Sequence, residues 1–245
     1  MQNLFVFGCP RSGTTALGAI LNAHPLICLG IERYRHIAMG ALVREFLPSL
    51  FTPERFCQMD EQEPKRAANQ FLLKKFESGR PLAFIGDKIP RLYARLDVLE
   101  REFPEASIIY IFRDPLEVAH SWQKRADNPQ DSWPSTNGRV AAIAEWTKSI
   151  DAMVEALPRW KARATIIDYA TFFNVSTPEA LGTNIARLYK RLGLGMRPEN
   201  MEKVVKRFWR QEPNLPSLSD DPTLAAMVEQ ARKIPGLDVL RAAAL

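Results

Sequence analysis

Four short apolar runs punctuate the chain: LFVF (4–7), LAFIG (82–86), SIIYIF (107–112) and ATIID (164–168). Each is too short for a helix and rich in β-formers. After each comes a longer stretch whose apolar residues recur three or four apart, and the clearest of these span 14–22, 91–102, 115–126 and 138–157. Strand followed by helix, repeated, predicts an α/β fold, a parallel sheet flanked by helices. Residues 36–47 and 66–78 also carry helical spacing and form helical insertions between the first two strands. From residue 178 onward the pattern predicts a helical C-terminal region, broken at Pro198, Pro213 and Pro216. The turn-forming stretch DNPQDSWPSTNG (127–138) predicts a long loop, either a plain connection or a lid over a site.

Length and composition narrow the picture. A chain of 245 residues, 46% apolar and 25% charged, is expected to fold as a single domain over 1–245. Its net charge of +5 favours anionic partners, but the cations form no dense block, which points to a small polyanion and away from nucleic acid. Three cysteines at no metal-ligand spacing suggest neither a disulfide framework nor a zinc site, so a reducing compartment, the cytoplasm, is expected. LFVF is interrupted by Gly8, Pro10 and Arg11, which suits a buried strand and not a signal peptide or membrane span.

In an open parallel sheet, ligands bind at the carboxyl ends of the strands. Polar residues collect there: Gly8, Arg11, Ser12 and Thr14 after the first strand, Asp87-Lys88 after the second, Arg113-Asp114 after the third and Tyr169 after the fourth. Singly, each reads as a solvated strand end; together they read as a site. Gly8-x-x-x-x-Gly13-Thr14-Thr15 supplies a flexible turn into a helix, where backbone N–H groups converge on an anion. A triphosphate-binding loop of this kind has lysine directly after its second glycine, and Thr14 stands there instead. Arg11 offers a planar fork for a phosphate or sulfate.

In IFRDPLEVAHSWQKR (111–125), Asp114 is a natural N-cap and Pro115 a natural first helical residue, so Arg113 stands just outside a helix. Ser121 and Arg125 follow four residues apart on one face. Arg113, Ser121 and Arg125 can grip a second anion; taken individually, each also reads as an ordinary surface residue.

These two motifs resemble those of sulfotransferases that use 3′-phosphoadenosine 5′-phosphosulfate (PAPS). PRSGTT is similar to their 5′-phosphosulfate loop and RDPLEVAHS to their 3′-phosphate motif. The likeness runs from Leu4 to about Leu192 and is nearest to the tyrosylprotein sulfotransferases and their bacterial relatives, whose loop, helix, His-Pro and Gly-then-Glu order matches TTALGAILNAHPLICLGIE (14–32). It implies a P-loop-type fold, donor binding by Arg11, Ser12, Gly13, Thr14, Thr15, Arg113, Ser121, Arg125 and Tyr169, and a catalytic set of Glu32 as base with Lys88 and Arg11 beside the leaving phosphate. It also implies 3′,5′-adenosine bisphosphate as product, no requirement for a metal, and a hydroxyl acceptor on a small molecule or peptide.

The sequence departs from that group in two places. Ile31-Glu32-Arg33-Tyr34-Arg35 stands where the tyrosylprotein enzymes have two adjacent acids, threonine and arginine, and RQEPNLPSLSDD (210–221) has no match to their late lysine-containing nucleotide loop. Two other classes stay open: a nucleotide kinase or NTPase using Mg-ATP, and a non-catalytic nucleotide-binding module. Glu32 also reads as an exposed helix-start acid paired with Arg33 or Arg35. His24 is expected in a turn, His120 in packing and Cys9 as a small apolar filler.

Overall fold

The computed structural model describes residues 1–58, 69–77, 79, 81–160, 162–210 and 221–245. Five strands, Gln2–Phe7 (β1), Ile27–Ile31 (β2), Phe84–Lys88 (β3), Ser107–Phe112 (β4) and Ala164–Asp168 (β5), form one parallel sheet in the order β2-β3-β1-β4-β5. Four match the apolar runs. The strand β2 was not predicted. Its five residues include Gly30, a weak strand former, and it is fixed by pairing with β3, far away in sequence (Cys28 with Ile85, Leu29 with Gly86).

The strand β3 also lies two residues further along than the apolar run. Asp87 and Lys88 pair with Phe5 and Val6 on one side and with Gly30 and Ile31 on the other. They are therefore strand residues, 0% and 1% exposed, and not an open rim.

The α-helices are Thr14–Ala23 (α1), Arg35–Met39 (α2), Pro53–Cys57 (α3), Leu73–Glu77 (α4), Leu96–Glu102 (α5), Pro115–Ala126 (α6), Arg139–Trp160 (α7), Tyr169–Phe173 (α8), Pro178–Arg191 (α9), Pro198–Phe208 (α10), Pro222–Arg232 (α11) and Pro235–Ala242 (α12). The helix expected over 36–47 stops at Met39 before Gly40, and a 3₁₀ turn at Val43–Glu45 follows. That expected over 91–102 divides into a 3₁₀ segment, Pro90–Arg95, and α5. Of the stretch 66–78, residues 66–68 and 78 lie outside the described residues. Pro198 opens α10 at its first turn, where its missing N–H costs nothing; Pro213 and Pro216 lie outside the described residues.

Alternation in β1 builds two layers. Leu4 and Val6 face Leu17, Ile20 and Leu21 of α1 and Leu181, Ile185 and Leu188 of α9. Phe5 and Phe7 face the opposite way, in the layer that holds Tyr110, Trp146 and Ile150. All are fully or almost fully buried, each side chain contributing about 1.5–3 kcal/mol of burial free energy. The last two helices, α11 and α12, join this layer, and Arg232 of α11 forks onto Asp114, the N-cap of α6, at 2.9 and 3.0 Å.

Candidate active site

The glycine loop leaves β1 and enters α1 through Gly13, the N-cap, at φ 100°. Arg11 takes φ 79°, a left-handed conformation that costs of order 1–3 kcal/mol in a residue with a side chain. A Cβ on Gly13 would lie 2.7 Å from the Tyr169 ring, so glycine is needed there for both backbone and contact. The indole of Trp122 donates to the Pro10 carbonyl at 2.8 Å and pins the loop from behind. Ser12 is fully buried, and its hydroxyl has no hydrogen-bond partner among the described residues. Burial pushes the Cys9 thiol well up, which fits the role of an inert filler.

Arg113 stands between β4 and α6, where Asp114 caps the helix by accepting from Leu116 N–H at 2.9 Å. Trp146 donates to the Arg113 carbonyl at 2.8 Å. The Arg113 guanidinium pairs with Glu117 at 2.6 Å and lies over the Tyr169 ring, 4.1 Å from its centroid. Its Nε is buried without a hydrogen-bond partner among the described residues. Tyr169 therefore touches both predicted grips, the loop through Gly13 and the helix start through Arg113.

The two grips meet directly as well. Arg11 donates through Nε to the Ser121 hydroxyl at 2.9 Å. Desolvation, then the positive charges of Arg125 and Arg113, lowers the Arg11 pKa from its ordinary value, yet a guanidinium remains charged at neutral pH. The three arginines thus share one electrostatic neighbourhood, a field suited to a polyanion. Arg125 forks onto Asp131, with Nε at 2.7 Å, and lies over Trp133 at 4.7 Å.

Glu32 follows β2 at φ 56°, again left-handed. Its carboxylate pairs with Lys88 at 2.7 Å and with Arg35 at 3.6 Å. Lys88, 1% exposed, also donates to the Thr15 hydroxyl at 3.2 Å. One ammonium group thereby joins the end of β3, the start of α1 and the carboxylate after β2. The surface reading of Glu32 gave it arginine partners; Arg35 is one, but the shorter contact is to Lys88.

A cleft of about 580 Å³ opens beside this group. Arg11, Thr14, Thr15, Glu32 and Arg125 line one side, α2 contributes Arg35, His36 and Met39, and the 127–138 loop contributes Ser132, Trp133, Pro134 and Asn137. That loop is thus a wall of the cleft, more than a connection. Trp133 is set in place by edge-on contact with Trp122, ring centroids 4.8 Å apart.

His24 caps the end of α1, accepting from Leu26 N–H at 3.2 Å, as a turn residue should. His120 is exposed, so it does not serve packing as expected; its position on α6 faces away from the core that Val118, Ala119 and Trp122 enter. Sequence reasoning missed Trp122, Trp146 and Asp131, and named Asp87 but put it on an open rim where the structure buries it within a strand. Asp131 and Trp122 lay within motifs already singled out, whereas nothing local marked Trp146.

The sequence model of the sulfotransferase family matches residues 3–198. The chain belongs to this family. It is 28% identical over 159 residues to protein-tyrosine sulfotransferase 1 of Homo sapiens, covering 62% of this chain and 42% of that protein. Nodulation protein NoeE of Sinorhizobium fredii is 29% identical over 149 residues, covering 58% and 36%. The chain thus spans less than half the length of these curated relatives. Among solved structures, sulfotransferase STF1 of Mycobacterium tuberculosis superposes with TM-score 0.56 at 17% identity, over 95% of this chain and 76% of that one. Mouse sulfotransferase SULT7A1, complexed with PAP, gives 0.50 at 18%, over 84% and 64%. At such identities the structures speak for a shared fold, the parallel sheet with flanking helices. Among the described residues, no helix is long and apolar enough to cross a membrane.

Proposed function

We propose that this sulfotransferase carries a sulfuryl group from PAPS to an acceptor hydroxyl by in-line displacement. The observation that carries the reading is the Lys88 ammonium, set between the Glu32 carboxylate and the Thr15 hydroxyl where the glycine loop meets the cleft. A base, a cation and an anion cradle then adjoin one space.

The residues present fit the donor. Its two anionic ends need two grips, and the Ser12 hydroxyl in one and the Arg113 Nε in the other are buried with no hydrogen-bond partner among the described residues. The loop N–H groups, Arg11, Ser12, Thr14 and Thr15 would hold the phosphosulfate, and Arg113, Ser121 and Arg125 the 3′-phosphate. Tyr169, against both grips, would flank the adenosine.

The chemistry is largely alignment and charge. Glu32 takes the proton of the acceptor hydroxyl while its oxygen bonds to sulfur. The bond from sulfur to the bridging oxygen breaks, and that oxygen leaves with 3′,5′-adenosine bisphosphate. Lys88 and Arg11 offset the charge growing on it. The acceptor, a hydroxyl of a small molecule or of a protein, would enter between α2 and the 127–138 loop.

Thermal shifts with the bisphosphate, AMP and Mg-ATP test the donor, because a ligand of the folded state raises the midpoint. The bisphosphate is expected to give the largest rise; preference for Mg-ATP would instead indicate a kinase. A PAPS-dependent screen of hydroxyl compounds and peptides, read by mass spectrometry, identifies the acceptor. With it, Glu32→Ala is expected to keep bisphosphate binding and lose about 10²- to 10⁴-fold in turnover. An unchanged rate would remove Glu32 from the mechanism.

A further inference from the structure

Asp87 and Lys88, adjacent at the end of β3, send their side chains to opposite sides of the sheet. Lys88 goes to the Glu32 carboxylate. Asp87 is fully buried and accepts, through Oδ2, the Tyr34 N–H at 2.8 Å. Its partner in register on β2 is Gly30, where an added Cβ would come within 2.8 Å of Asp87 Oδ1. The missing side chain at Gly30 is what lets the carboxyl group sit inside the turn.

The chain from Gly30 to Tyr34 is wrapped around that carboxyl group. Glu32 N–H donates to the Lys88 carbonyl at 2.9 Å, the backbone turns left-handed at Glu32, and Tyr34 N–H returns to Asp87. The next two side chains are drawn inward: the Arg33 guanidinium donates to the carbonyls of Phe56 and Arg55 at 2.8 and 3.0 Å, and the Tyr34 hydroxyl to that of Leu50 at 2.8 Å. Glu32 alone among these three lines the cleft.

We propose that Asp87 is a positioning residue for the transfer: by anchoring the backbone beyond Glu32 it holds the left-handed turn that aims the Glu32 carboxylate at Lys88 and the cleft. This rests on the reading of Glu32 as the base. A carboxyl group is a costly choice for the place, since burial pushes it up to about 7 against the pull of the Tyr34 and Arg33 amides and of Lys88. Turn closure alone would be served equally well by an uncharged acceptor. Asp87→Asn, which retains an oxygen for the Tyr34 amide, is therefore expected to keep most of the turnover.

The test places Asp87→Ala in two backgrounds, with and without Glu32→Ala, and follows turnover of PAPS with the acceptor from the screen. Alone, Asp87→Ala is expected to lower kcat about 10²-fold, the scale of a 1 Å misplacement, with bisphosphate affinity by calorimetry unchanged. In the Glu32→Ala background it should cost nothing further, because its effect runs through that carboxylate. An equal loss in both backgrounds, or a dead Asp87→Asn, would overturn the proposal. If Asp87→Ala does not fold, Asp87→Ser, polar but too short to reach the Tyr34 amide, takes its place.

A crystal structure of the variant gives a readout independent of activity. The Glu32–Lys88 contact is expected to be lost, and its survival would refute the positioning role. Failure of the wild-type protein to turn over PAPS would instead strike the reading of Glu32 as base, and the crystal structure would still decide whether Asp87 holds the turn.

Discussion

Arg11 and Ser121 are 110 residues apart in sequence and joined by a 2.9 Å hydrogen bond from guanidinium Nε to hydroxyl. The bond ties the glycine loop to α6, so the two proposed anion grips form one unit. Calorimetry with 3′,5′-adenosine bisphosphate is expected to show a loss of about 0.5–1.5 kcal/mol for Ser121→Ala and about 1.5–3 kcal/mol for Arg11→Ala, the scales of neutral and charged hydrogen bonds. The double variant should fall short of their sum, and strict additivity would mean that the bond does nothing in the bound state.

Arg113 is the residue with most to lose at the other grip. Arg113→Ala is expected to weaken the bisphosphate by about 1.5–3 kcal/mol while changing AMP binding little, because AMP has no 3′-phosphate. Equal losses for the two nucleotides would place Arg113 elsewhere in the site.

Asp131 holds the fork of Arg125 and would compete with a phosphate for it. Asp131→Ala is therefore expected to tighten bisphosphate binding and to steepen its dependence on salt, since one more cation becomes available to the ligand. Asp131 also accepts from Trp133 N–H at 3.0 Å, so the same change untethers Trp133 on one side and KM for the acceptor should rise. Weaker nucleotide binding would show that Asp131 orients Arg125 and does not rival the ligand.

Gly13 has no room for a methyl group, which would press on the Tyr169 ring, and its φ of 100° disfavours any side chain. Gly13→Ala is expected to cost about 1–3 kcal/mol of stability by urea unfolding and to impair nucleotide binding. In a Tyr169→Ala background the steric part of that loss should disappear, leaving the backbone part.

Asp87 makes stability depend on pH with a definite sign. Its carboxyl binds a proton more tightly folded, at about 7, than unfolded, near 3.8. The stabilisation this linkage gives is complete below the unfolded value and is lost as pH rises through the folded one. Between about pH 4 and 7 the melting temperature of the wild-type protein should therefore fall relative to Asp87→Asn, whose amide does not titrate; the ceiling is roughly 4 kcal/mol. A constant difference across that range would contradict it.

The parts of the fold that local pattern determines were legible in the sequence. The strands β4 and β5 and the helix α6 begin and end where apolar runs, the Asp114 cap and Pro115 put them. The strand β2 was not legible, because pairing with β3 decides it. Nor was the interior position of Asp87 and Lys88, which depends on strands on both sides. At the site, sequence named the arginines but not what they hold when alone. Glu117 and Asp131 are close in sequence to the arginines they hold, four residues after Arg113 and six after Arg125, and were open to a reading by spacing. The contacts of the two indoles are set by packing, which has no one-dimensional signature.

Those two indoles have a design consequence. Trp122 and Trp146 each grasp a main-chain carbonyl, one at Pro10 and one at Arg113, and neither bond involves the side chain of the residue grasped. The gap between the halves is therefore held by scaffold as well as by the Arg11–Ser121 bond. An exchange at position 113 leaves both indole bonds in place, whereas one at position 11 leaves them but gives up the brace to Ser121.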